Sequence, residues 1–80
     1  MKKMIGYTDR ITIDPKILSG KPVFKGTRIP ISIVLRMLRD GATFQKIMEE
    51  YPRLTEEDIK VALDYSVFVV DHRDEEIINI

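Results

Sequence analysis

The sequence predicts a mostly α-helical domain, in which three helices in a homeodomain-like or winged-helix-like arrangement follow a short N-terminal β-arm. Three of the four prolines and two of the four glycines lie between residues 10 and 33, where they divide the chain into short extended pieces. Beyond residue 30, apolar residues recur at helical spacing in three runs. We therefore expect a single domain over residues 1–80, with the β-arm in 1–30, a helical body in 31–71 and a tail in 72–80.

Alternation and turn residues predict the β-arm. Residues 10–13 alternate polar and apolar side chains, as a half-buried strand does. Asp14 followed by Pro15 is typical of a helix N-cap with proline in the first helical position, and Gly20 is expected to end the turn that they begin. Residues 22–24 and 27–29 are predicted to be two further extended pieces, hinged between them.

Spacing and capping residues predict the first two helices. The first covers residues 31–40 and is followed by Gly41, the usual residue for the left-handed backbone that ends a helix. Thr43 is a suitable N-cap for the second helix, over residues 44–51, and Pro52 ends it.

A capping box and a long apolar run predict the third helix. Thr55 and Asp58 stand at the two ends of TEED, with Asp58 in the place of the commoner Glu or Gln. We expect this helix to end near residue 71 and to be apolar on nearly every face, so that the rest of the chain cannot cover it. A homodimer is therefore expected, with the candidate interface at Val61, Tyr65, Phe68 and Val69.

Charge is unevenly distributed along a chain whose formal net charge is zero. Residues 1–40 carry nine Lys or Arg against three Asp or Glu, whereas residues 41–80 carry four against ten. The two halves, at plus six and minus six, indicate one surface for a polyanion and another for a basic partner, or surface charges that segregate by chance.

The basic arm is a better candidate for binding double-stranded DNA than the third helix, whose acidic first turn would repel phosphates. The candidate residues are Arg10, Lys16, Lys21, Lys25 and Arg28. Two alternatives stay open for them. The lysines are solvated, or Arg28 ties the arm to Asp14 or to a helix carboxylate.

Neither a catalytic site nor a metal site can be assembled from the residues present. His72 is the only histidine and the chain has no cysteine, so a metal site would lack ligands. We therefore predict no enzyme activity, no metal and no cofactor. No segment approaches the roughly 18 apolar residues of a membrane span, and the lack of cysteine fits a reducing cytoplasm.

Two stretches of the chain carry a family resemblance. Residues 11–32, ITIDPKILSGKPVFKGTRIPIS, and residues 51–65, YPRLTEEDIKVALDY, resemble the domain of unknown function 433 family, which occurs in bacteria and archaea. Several of its members are described as VapB-type antitoxins encoded beside a PIN-domain ribonuclease toxin. The resemblance implies an antitoxin that neutralises such a ribonuclease and binds operator DNA.

The residues themselves leave two other functions open: a stand-alone dimeric DNA-binding regulator, and a dimeric protein-interaction adaptor that binds no DNA. If a partner protein exists, the tail offers both charge and apolar anchors for it. The candidate partner-binding residues are Asp74, Glu75, Glu76, Ile77, Ile78 and Ile80.

Overall fold

The computed structural model describes residues 9–78 of the chain, with side chains described for residues 9–72. Two short strands precede three helices, so the predicted class is confirmed. The elements are β1 (Ile11–Thr12), β2 (Val23–Phe24), α1 (Ile31–Arg39), α2 (Phe44–Glu50) and α3 (Glu56–Ile78).

The β-arm is a small antiparallel sheet that contributes to the core. Ile11 lies opposite Phe24, and Thr12 lies opposite Val23. Val23 and Phe24 are both buried, and Phe24 packs in the same cluster as the helices. The arm is therefore part of the domain and cannot be removed without exposing core residues.

After β2 the chain reverses in a tight turn, for which we use the name arm turn (residues 25–28). The amide of Thr27 donates to the carbonyl of Phe24 at 3.0 Å, and the amide of Phe24 donates to the carbonyl of Ile29 at 3.0 Å. Gly26 has a φ of +79°, a conformation that glycine adopts at little cost. Pro30 then pairs with Val23 as an isolated bridge, which confirms the two extended pieces on either side of a hinge.

The segment between the strands forms a turn that ends at Gly20, as predicted, but the N-cap signal at its start is not followed by an α-helix. Asp14 does not begin an α-helix. Its carboxylate accepts a hydrogen bond from the Lys16 amide at 2.9 Å, which makes a local turn. A single 3₁₀ turn follows at Leu18–Gly20, where Leu18 and Ser19 have positive φ values of 49° and 58°. Because left-handed backbone cannot continue a right-handed helix, the N-cap signal at Asp14 leads only to a turn.

The core lies where the three helices and the arm meet. Ile31 and Val34 of α1 pack with Ile47 of α2 and with Ile59 and Ala62 of α3, and each of these is at most 2% exposed. All three helices therefore contribute to one core.

Capping follows the sequence signals. The Thr43 hydroxyl accepts a hydrogen bond from the Lys46 amide at 3.1 Å, and Gly41 follows α1 with a φ of +97°. At the start of α3 the capping box closes in both directions, because the Thr55 amide donates to Asp58 Oδ2 at 3.0 Å and the Asp58 amide donates to Thr55 Oγ1 at 3.1 Å.

The third helix is longer than predicted. Its backbone continues to Ile78 instead of ending near residue 71. The last proline of the chain is Pro52 and the last glycine is Gly41, so no helix-breaking residue follows the start of α3. Among the helices that the structure describes, none combines the length and the apolarity that crossing a membrane requires.

Candidate nucleic-acid and partner interfaces

Arg10 joins the arm to the start of α3. Its Nη1 donates to Oδ1 of Asp58 at 3.0 Å, with the Arg10 side chain 42% exposed and that of Asp58 14% exposed. The carboxylate of Asp58 therefore serves both the capping box and the arm. The tie between arm and helix that the sequence offered as an alternative for Arg28 exists, but Arg10 makes it.

Arg53 provides a second tie, which the sequence analysis missed. It lies in the turn between α2 and α3, and its Nη2 donates to the carbonyl of Gly26 at 2.9 Å, across 27 residues of sequence. The arm turn thus rests against the turn between α2 and α3. No local pattern marks Arg53 for this role, because the bond depends on how two distant turns pack.

The arm turn carries two exposed cations, Lys25 and Arg28. The Lys25 amide donates to the carbonyl of Arg10 at 2.9 Å, which places Lys25 beside the ion pair at the base of α3. Asp9, Arg10, Lys25 and Asp58 line one open depression there. Arg28 has no hydrogen bond or ion pair within the described part of the chain, so its guanidinium is available to a partner.

The other two predicted DNA-binding residues lie at the opposite end of the strand pair. Lys16 and Lys21 are exposed and flank the 3₁₀ turn. The two ends of this loop approach each other, since a Cβ added to Gly20 would lie 3.9 Å from the Cα of Pro15. The structure therefore divides the predicted DNA-binding residues into two groups. Lys16 and Lys21 form one group, and Arg10, Lys25 and Arg28 form the other. Arg53, which was not predicted, lies with the second group.

The first turn of α3 keeps its acidic character. Glu56 and Glu57 are exposed, and Glu56 pairs with Lys60 at 3.7 Å. Only Asp58 has its charge compensated by the arm. A helix that presents such a turn is poorly suited to the phosphate backbone, so the basic residues of the arm are the better candidates for contact with a polyanion.

The uncovered apolar face of α3 is not the predicted one. Val61 is only 8% exposed and Tyr65 packs partly against the core, so the chain itself covers the first half of the predicted interface. Phe68 and Val69 are half-buried. Instead, Leu63, Val67 and Val70 are exposed, by 38%, 59% and 63%. The reason is the direction in which α3 packs: Ile59 and Ala62 face the body, which turns the 63–67–70 stripe toward solvent.

His72 makes local contacts within α3. Its Nδ1 lies 2.8 Å from the carbonyl oxygen of Phe68, and the two rings are 4.0 Å apart between centroids. Among the residues that the structure describes, no three His, Cys, Asp or Glu side chains are grouped so that they could hold a metal ion. The candidate partner-binding residues, Asp74, Glu75, Glu76, Ile77, Ile78 and Ile80, have side chains outside the described part.

Taken together, these features define a small three-helix module with a basic arm turn fixed against it. The chain belongs to the DUF433 family: residues 11–66 match the family described as Protein of unknown function (DUF433). The match covers both strands, the arm turn, the first two helices and the packed half of α3.

Two relatives support this assignment. "Uncharacterized protein y4eO" of Sinorhizobium fredii is 36% identical over 56 residues, which are 70% of this chain and 25% of that protein. "Putative antitoxin VapB45" of Mycobacterium tuberculosis is 39% identical over 65 residues, 80% of this chain and 27% of that protein. The chain thus spans about a quarter of the length of these two relatives.

The fold is shared with a solved structure. The crystal structure of a DUF433 member from Anabaena variabilis superposes with a TM-score of 0.72 at 31% identity, over 85% of this chain and 67% of that chain. The chain therefore shares its overall fold with this solved member of the family.

Proposed function

We propose that the protein is the antitoxin of a type II toxin–antitoxin pair, that it neutralises a PIN-domain ribonuclease, and that it binds the operator DNA of its own pair. The observation that carries the proposal is the 39% identity over 65 residues to a relative named as an antitoxin. Because those residues are 27% of that relative, the shared part is a module of it and not the whole protein.

Neutralisation is assigned to the acidic end of the chain. A PIN-type ribonuclease needs a basic surface to hold RNA, beside the carboxylates that bind its metal ions. The tail offers acids to cover that surface and isoleucines to anchor the contact: Asp74, Glu75, Glu76, Ile77, Ile78 and Ile80. The backbone of five of these six residues belongs to α3, so the contact is assigned to the end of that helix.

Operator binding is assigned to the arm. Lys25 and Arg28 on the arm turn, with Lys16 and Lys21 at the other end of the strands, supply cations for the phosphate backbone. A two-stranded ribbon also fits the major groove of DNA. The acidic first turn of α3 supports this assignment, because its carboxylates would repel the DNA phosphates. The arm is then the part of the chain that binds DNA.

Dimerisation is assigned to α3 of a second copy. Leu63, Val67 and Val70 follow the 4–3 spacing of a helix-pairing seam. The body of each protomer lies at the N-terminal end of that helix, so an antiparallel pair keeps the two bodies apart. In sedimentation equilibrium at tens of micromolar we expect a dimer for the parent protein and for the control Ser32→Glu, and a monomer for Val67→Glu. A monomeric parent protein would remove this part of the proposal.

Co-expression tests the antitoxin role. The chain and a PIN-domain ribonuclease encoded immediately beside its gene are expressed together, and growth is compared with that of cells expressing the nuclease alone. We expect the full chain to restore growth, whereas a chain stopped after Asp71 does not, although it still dimerises. Restoration by the shortened chain would refute the role of the tail. No restoration by the full chain would refute the antitoxin assignment and leave the DNA-binding regulator or the adaptor.

A further inference from the structure

The five arginines in residues 9–72 fall into two groups by their contacts. Arg10 binds Asp58, Arg53 binds the Gly26 carbonyl and Arg39 binds Asp40, each at 2.9 or 3.0 Å. Arg28 and Arg36 are exposed and have no hydrogen bond or ion pair within the described residues. Two of the engaged arginines, Arg10 and Arg53, hold the arm in place, whereas Arg28 is the free guanidinium on that arm.

The backbone that carries Arg28 is fixed on both sides. The Thr27 hydroxyl donates to the carbonyl of Phe24 at 2.8 Å and accepts from the amide of Ile29 at 2.9 Å, so it spans the position of Arg28. Pro30 restricts the conformation of Ile29, and the Arg53 bond holds the turn from the other side. The backbone at Arg28 is therefore fixed, whereas its side chain is free to move. Binding orders only the side chain, so less conformational entropy is lost.

The surroundings of Arg28 suit a polyanion better than a carboxylate partner within the chain. Lys25 shares the arm turn, and Arg53 lies against it. The carboxylate of Asp58, at the base of the arm, is already occupied by Arg10 and by the Thr55 amide. With phosphates held by the lysines of the arm, a turn at the end of a strand pair can enter the major groove.

We propose that Arg28 is the specificity-determining residue for DNA, and that its guanidinium reads a guanine in the operator while Lys16, Lys21 and Lys25 contact phosphates. A planar guanidinium donates two parallel hydrogen bonds to O6 and N7 of guanine, which identifies that base, whereas an ammonium acts as a point charge. Arg10 and Arg53 are positioning residues in this scheme. The inference rests on the proposed operator binding.

The test compares binding of the full-length protein to two duplexes at several salt concentrations. One is the 40-base-pair region immediately upstream of its own gene, and the other is a scrambled duplex of equal composition. For Arg28→Lys we expect the affinity ratio between the two duplexes to fall about 5- to 150-fold with little change in salt dependence, since the charge is kept. The control Arg36→Lys, made on the other free arginine, should leave the ratio unchanged.

Lys25→Ala should separate phosphate contact from base reading. It should weaken binding to both duplexes by the same factor and reduce the salt slope by about one unit. An unchanged ratio for Arg28→Lys, in a protein that binds the upstream duplex specifically, overturns the inference and leaves operator binding intact. No preference of the parent protein for the upstream duplex overturns operator binding, and the inference with it.

Discussion

Asp58→Ala removes the carboxylate at which the arm and the helical body are joined. In the folded protein Oδ2 accepts from the Thr55 amide and Oδ1 accepts from Arg10, both at 3.0 Å. The side chain is only 14% exposed, so water cannot fully replace these bonds. The substitution therefore tests the capping box and the long-range tie together.

The expected loss of stability in Asp58→Ala is the sum of the contributions of the helix cap and the ion pair. Removing a good N-terminal cap lowers the free energy of unfolding by about 1 kcal/mol. The ion pair adds about 0.5 kcal/mol, discounted because the Arg10 side chain is 42% exposed. A total of about 1.5 kcal/mol corresponds to a fall in Tm of roughly 6 to 12 °C for a domain of this size.

Thermal and urea unfolding followed by circular dichroism, at one fixed protein concentration, measure this loss. Glu57→Ala is the matched control, because it removes an exposed carboxylate from the same helical turn and so reproduces any effect on the helix dipole. Arg10→Ala should cost about 0.5 kcal/mol, and combining it with Asp58→Ala should add almost nothing further.

Either of two results would refute this reasoning. One is a loss for Asp58→Ala no greater than that for Glu57→Ala. The other is full additivity of Arg10→Ala and Asp58→Ala, which would mean that the 3.0 Å contact carries no coupling in solution.

Three further outcomes are expected. Arg53→Ala should speed hydrogen exchange at the Thr27 amide while lowering global stability by at most about 1 kcal/mol, and unchanged exchange would show that the bond to Gly26 does not hold the arm turn. Gly26→Ala should destabilise by roughly 1 to 2 kcal/mol in urea unfolding, since φ is +79° although no atom lies within 4 Å of the added Cβ; equal stability would mean that the turn relaxes. Burial raises the pKa of the Tyr65 hydroxyl above that of the unfolded chain. The contribution of this hydroxyl to the free energy of unfolding is therefore complete below pH about 10 and is lost as pH rises through the folded-state pKa. The stability difference between the parent protein and Tyr65→Phe should therefore change above pH 10 and stay constant below it.

Local signals in the sequence predicted most of the helical body. Gly41, Thr43, Pro52 and the TEED box each act on the backbone within one turn, so their effects do not depend on the rest of the fold. The same locality explains the error at Asp14. Its side chain does bond to the Lys16 amide, but the left-handed backbone at Leu18 prevents a helix from following.

The surfaces were harder to predict because they depend on packing. The sequence shows that an arginine of the arm could tie down a helix carboxylate, but only the fold decides that Arg10 does so and that Arg28 remains free. Likewise α3 has apolar residues on several faces, and its packing against α1 determines that Val61 is buried while Val67 is exposed.

The most direct measurement of the proposed function is a titration of the PIN-domain ribonuclease that the proposal requires beside this gene, in purified form, with the purified full-length protein. RNA cleavage is followed with a short fluorescent substrate. The proposal predicts that cleavage falls in proportion to the added protein and stops at a fixed stoichiometry, with a chain stopped after Asp71 as the inactive control. An unchanged cleavage rate at a large excess of the full-length protein would contradict the antitoxin assignment.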